Sequence, residues 1–148
     1  MGLPFSPCAS DGLNTEIKAA GNCIASDLNT AAVFHLMRVV EFGLRALAAH
    51  LAIKINEEDI QYEQWQAILV EVKNAAEKAT QSPGLSKQER AELREFYSGV
   101  LGEFNGFKDA WRNSVMHTRG VYNADTAMGL FVQVRDFMRR LAKKVSLD

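Results

Sequence analysis

Apolar side chains recur every three or four residues along most of the chain, and no strand-length run alternates apolar with polar, so the pattern predicts helices throughout. The clearest stripe is Val33, Leu36, Val40, Leu44, Leu47 and Leu51, with Met37 beside it, which predicts a core helix over residues 30–52. Before it, Ile17, Ala20, Ile24 and Leu28 keep helical spacing from residue 14, with Asn14 or Thr15 as the cap. The polar cluster at Ser26, Asp27, Asn29 and Thr30 breaks the two apart. Residues 53–61 carry no stripe and read as a loop. Trp65, Ile68, Leu69, Val72, Ala76 and Ala79 then predict a helix over 62–80, which stops at Ser82, Pro83 and Gly84.

Ser86 and Glu89 have the spacing of a capping box, so the next helix is expected to start there. Leu93, Phe96, Val100, Phe104, Phe107, Trp111 and Val115 allow one helix to run from residue 86 to 115. On another side Gly99, Gly102, Gly106 and Ala110 form a row of small residues that continues to Asn113 and His117. Glycine inside a helix costs about 1 kcal/mol relative to alanine, so an offset is expected, either the close approach of another helix or a bend near Asn105 and Gly106. After a short turn around Gly120, Asn123 caps a last helix with Ala127, Leu130, Val134, Phe137 and Leu141 inward. The expected architecture is an all-α, antiparallel bundle of four to five helices forming one domain over residues 14–148. Residues 1–13, with Gly2, Pro4, Pro7 and Gly12, read as a flexible tail or the remnant of a linker.

Composition narrows this only a little. A chain of 148 residues, 47% hydrophobic and 24% charged, fits one ordinary globular domain and not a disordered or disulfide-built one. The most apolar stretch, residues 31–55, is interrupted by His35, Arg38, Glu41, Arg45 and His50, so no membrane span is expected. Cys8 and Cys23 lack zinc-ligand partners, and residues 1–14 lack a charged start and apolar core. A reducing, cytoplasmic location is therefore expected, with Cys23 as a small core residue. Net charge is −1, but residues 1–103 hold 9 basic and 14 acidic side chains, whereas residues 104–148 hold 8 basic and 4 acidic. Arg135, Arg139, Arg140, Lys143 and Lys144 supply much of that basic end, where they also suit the dipole of the last helix.

The basic third also holds the densest candidate chemistry. Arg112, Asn113 and His117 fall within six residues at the end of an otherwise apolar helix, followed by Arg119. Histidine near its unperturbed pKa can take or give a proton at neutral pH, and arginine can clamp a phosphate through two parallel hydrogen bonds. On a straight helix Asn113 and His117 share a face, while Arg112 lies about 140° from His117. Another candidate group flanks the second helix. There Arg38 and Glu41, or Glu41 and Arg45, are spaced to pair along the surface, and His35 and Arg38 could instead face the motif from a neighbouring helix.

The order Arg, polar residue, three-residue spacer, His at Arg112-Asn113-Ser114-Val115-Met116-His117 resembles the signature of the HEPN family of small helical domains. The resemblance spans residues 14–145, but only Arg112, Asn113 and His117 carry over as motif positions. It implies a homodimer in which two motifs meet at the interface, and a metal-independent endoribonuclease of the kind deployed in toxin–antitoxin and antiviral systems, with no cofactor and an antitoxin protein as partner. Arg112, Asn113 and His117 would be the catalytic set; apart from the resemblance, His35, Arg38, Glu41 and Arg119 are expected from this sequence in supporting or substrate-binding positions. The alternative is a catalytically silent HEPN bundle that binds RNA, a nucleotide or a protein. A plainer one has Arg112 paired with Asp109 and the bundle serving assembly alone.

Overall fold

A computed structural model describes residues 11–55, 62–116 and 122–147, with the backbone alone at 62–63 and 111–116. The helices are α1 (Asp11–Ala25), α2 (Asn29–His50), α3 (Tyr62–Thr80), α4 (Lys87–Met116) and α5 (Ala124–Ala142), and no strand occurs among the described residues. The protein is an all-α helical bundle.

Local chemistry explains most of the boundaries. Both halves of the capping box before α4 form: the Ser86 N–H donates to Glu89 Oε2 at 2.7 Å, and the Glu89 N–H donates to Ser86 Oγ at 3.1 Å. Asn123 Oδ1 accepts from the Thr126 N–H at 2.8 Å and so caps α5. The start of α1 departs from expectation. The helix begins at Asp11, and Leu13, placed in the tail by the sequence pattern, is 1% exposed because it stands one turn before Ile17 on the same buried stripe. Thr15 is not a cap but lies inside the helix, where its hydroxyl donates to the Asp11 carbonyl at 2.9 Å.

The ends of α1 and α2 share one device without glycine. Asp27 (φ 58°) and Ala52 (φ 57°) adopt the left-handed conformation, which lets the Leu28 N–H reach the Cys23 carbonyl and the Ile53 N–H reach the Ala48 carbonyl, each at 2.8 Å. Leu28, expected on the buried stripe of the first helix, consequently leaves it and is 57% exposed. Cys23 is half-buried and does not belong to the core.

A trio and a pair of helices build the core. α1 and α5 pack along α2, α3 packs along α4, and contacts of α2 and α5 with α4 join the two groups. The α2–α5 crossing is close at Gly43, where a Cβ would stand 2.9 Å from Met138 Sδ and 3.1 Å from Leu141 Cδ2. Edge-to-face aromatic pairs tie α3, α4 and α5: Trp65 with Phe104, Phe104 with Phe137, and Phe107 with Phe137, at centroid separations of 6.4, 4.8 and 5.3 Å.

Within the chain, no helix among the described residues closes on the small-residue row of α4. A Cβ at Gly99, Gly102 or Gly106 would meet nothing within 4 Å, and these glycines are exposed. α4 is nevertheless one uninterrupted helix of 30 residues. Its glycines are carried by the buried face opposite, where Val100, Phe104 and Phe107 are anchored.

Candidate functional site

The α4 helix, about 45 Å long at 1.5 Å per residue, carries Arg112 and Asn113 within its last five residues. His117 and Arg119 lie outside the described residues. By helical register, the position of Asn113 shares a face with Gly102 and Gly106, whereas that of Arg112 shares a face with Asn105 and Lys108. The two motif positions on α4 therefore belong to different sides of the helix.

On the Asn113 side lies an open furrow. One cleft of about 410 Å³ is lined by Gly106, Phe107 and Ala110 of α4 and by Leu130, Gln133 and Arg140 of α5, among others. A second, of about 320 Å³, continues it past Ala110, Leu130 and Gln133 to Val33 and Met37 of α2 and to Tyr122. Arg140 closes the far end by pairing with Glu103 of α4.

On the Arg112 side, α4 faces α3 across polar contacts. Lys108, 8% exposed, donates through Nζ to Gln66 Oε1 of α3 and, at 3.3 Å, to Asn105 Oδ1. Asp109, considered as a partner for Arg112, has its carboxylate 3.9 Å from Lys108 Nζ. Much of the basic end is likewise engaged. Arg135 pairs with Asp136 at 3.0 Å, and Lys144 sits 5.3 Å from the centre of the Phe96 ring.

The α2 residues expected to support the site are organised by α1. Glu16, which the sequence pattern did not single out, accepts from Arg38 Nε and from His35 Nδ1, each at 2.7 Å. Because a carboxylate only accepts, Nδ1 carries the ring proton, leaving Nε2 of a neutral ring as the acceptor. Arg38 thus reaches across to Glu16, and Glu41 takes Arg45 Nη2 at 3.0 Å. One signal could have found Glu16: it lies one residue before Ile17, on the edge of the first buried stripe, where an acidic side chain would meet the basic flank of α2.

Burial raises the Glu16 pKa, but the hydrogen bonds from His35 and Arg38 outweigh it and hold the carboxyl below its ordinary value. The sign of the resulting pH dependence follows. Above the usual glutamate range the charged carboxylate stabilises the α1–α2 contact in full, and the contribution is lost as pH falls through the lowered folded value. Glu16→Gln is expected to cost about 1 kcal/mol near neutral pH, the scale of a partly exposed charged hydrogen bond. Urea midpoints of the two proteins should converge on acidification; a difference that stays constant with pH would refute the ionic role of Glu16.

No protein-family model, curated protein or solved structure matches the chain. No helix among the described residues is long and apolar enough to cross a membrane.

Proposed function

We propose that this protein is a metal-independent endoribonuclease of HEPN type, active as a homodimer whose site combines Arg112, Asn113 and His117 from two chains. The observation that carries the reading is the Arg-Asn-x3-His run, which starts near the end of the 30-residue α4 of an all-α bundle, beside a face of α4 where a Cβ at Gly99, Gly102 or Gly106 would meet nothing within 4 Å among the described residues. Two different sides of α4 hold Arg112 and Asn113, so a second copy is the simplest way to bring an arginine and a histidine to one phosphate.

In the proposed reaction one His117 accepts the proton of a ribose 2′-hydroxyl as that oxygen attacks the adjacent phosphorus. The bond from phosphorus to the 5′-oxygen breaks, and the other His117, protonated, supplies the proton to the leaving oxygen. Arg112 neutralises the charge that builds on the phosphoryl oxygens. Asn113 orients the imidazole or the phosphate, and Arg119 supports substrate binding. The products carry 2′,3′-cyclic phosphate and 5′-hydroxyl ends.

The test is incubation of the purified protein with mixed RNA in excess chelator, followed by analysis of the product ends. Cyclic phosphate ends formed without metal support the reading. RNA binding without cleavage would instead favour the silent bundle, in which Arg112 holds a ligand and no chemistry follows.

The dimer has its own test. Gly102→Leu and Gly106→Leu are expected to leave the monomer folded, and even to stabilise it by up to about 1 kcal/mol, since helix propensity improves and the added side chain enters open space. Sedimentation should show the assembly shifted toward monomer, with cleavage falling in parallel. An unchanged oligomer would mean that the small-residue face is not the contact.

A further inference from the structure

The α3–α4 seam holds a cleft that the ribonuclease reading does not use. Its volume is about 450 Å³, within the range of small-molecule sites. The apolar floor is Ala76, Tyr97 and Leu101, and polar groups converge on it from both helices: Lys73 and Thr80 from α3, Arg94 and Asn105 from α4.

The state of these groups is informative. Tyr97 is 5% exposed, yet its hydroxyl has no hydrogen-bond partner among the described residues. Burial raises its pKa, so the hydroxyl remains a proton donor at neutral pH. Lys73 and Arg94, one on each wall, also lack an ion-pair partner among the described residues, although nearly every other arginine described on α2 and α5 is paired. Asn105 is held in place, donating to the Leu101 carbonyl at 3.0 Å and accepting from the buried Lys108. Glu77 is the single carboxylate in the lining, which leaves the cleft with a surplus of positive charge.

We propose that this cleft is a binding site for a small polar molecule with an oxyanion head, a phosphate or a carboxylate. The head is held between Arg94 and Lys73, where arginine offers parallel donors and lysine a point charge. The body lies over Leu101 and Ala76, and one of its oxygens accepts from the Tyr97 hydroxyl. The site uses none of the residues of the Arg112–His117 motif and stands whether or not the protein cleaves RNA.

Titration of the isotopically labelled full chain with ribose 5-phosphate, gluconate and inorganic phosphate, followed by amide chemical shifts, tests the site and distinguishes the two head groups. Saturable binding of the sugar phosphate or the sugar acid, with shifts centred on residues 73–80 and 94–105, is expected. Arg94→Gln and Lys73→Gln should each weaken it by about tenfold, the scale of one charge-assisted hydrogen bond. Tyr97→Phe keeps the ring and its packing and should weaken binding by a smaller factor. No saturable binding of either organic probe, equal binding by Arg94→Gln, or a response to inorganic phosphate alone would each overturn the proposal.

Discussion

His117→Ala is expected to lower the rate of metal-free RNA cleavage by about 10²- to 10⁴-fold, the usual contribution of a positioned acid or base. If each histidine of the dimer serves one proton transfer, the loss lies toward the upper end, because both transfers fail in a variant dimer. Arg112→Ala should bring a comparable loss in cleavage, of the order seen when one donor to a developing oxyanion is removed, together with weaker RNA binding that His117→Ala does not share. Mixed dimers of the two variants give the sharpest result. A composite site restores one intact Arg112–His117 pairing when the arginine of one chain meets the histidine of the other, so partial recovery on mixing is expected. Cleavage that survives both substitutions, or that needs a divalent metal, would defeat the mechanism. Failure of mixing to raise activity above that of either variant would count against the pairing of one chain's Arg112 with the other's His117.

Phe137→Ala is expected to destabilise the fold by about 3–5 kcal/mol, as measured by urea denaturation. Phe137 is fully buried on α5 and meets Phe104 and Phe107 of α4 edge-to-face, while Phe104 reaches on to Trp65 of α3. Apart from this aromatic line, α4 and α5 have limited mutual contact. Truncating the ring therefore removes apolar burial, leaves a cavity and loosens the joint between the α2 group and the α3–α4 pair. Against a total stability of roughly 5–15 kcal/mol for a domain, such a loss brings the protein near its threshold. Phe137→Leu retains most of the volume and should cost clearly less. A change below about 1 kcal/mol in Phe137→Ala would mean that the cluster is not what couples the two groups.

Helix content and the inward faces were legible from spacing, because a 3.6-residue repeat of apolar positions has only one way to bury itself. Val33, Leu36, Val40, Leu44 and Leu47 are all buried, as their stripe predicts. The Ser86–Glu89 box and the Asn123 cap were equally legible, since those side chains reach backbone groups within three residues of themselves. What failed to show was any feature depending on a distant segment. The row at Gly99, Gly102 and Gly106 suggested the close approach of another helix, but among the described residues of the chain the close crossing falls at Gly43, where the bulk of Met138 and Leu141 on α5 leaves no room for a side chain.

The candidate site divides along the same line. Arg112, Asn113 and His117 are recognisable as a run because their chemistry lies in residue type and interval, and the register of α4 separates Arg112 from Asn113 on arithmetic alone. The partners of His35 and Arg38 could not be read that way. Glu41 and Arg45 pair within local reach along α2, as their spacing allows, but it is the packing of α1 on α2 that brings Glu16 to Arg38 from 22 residues away. Local hydrogen bonds and periodic burial follow from the order of residues along the chain. Long-range pairs, close crossings and the α3–α4 cleft arise only when separate helices meet, because each needs the shape and charge of two surfaces at once.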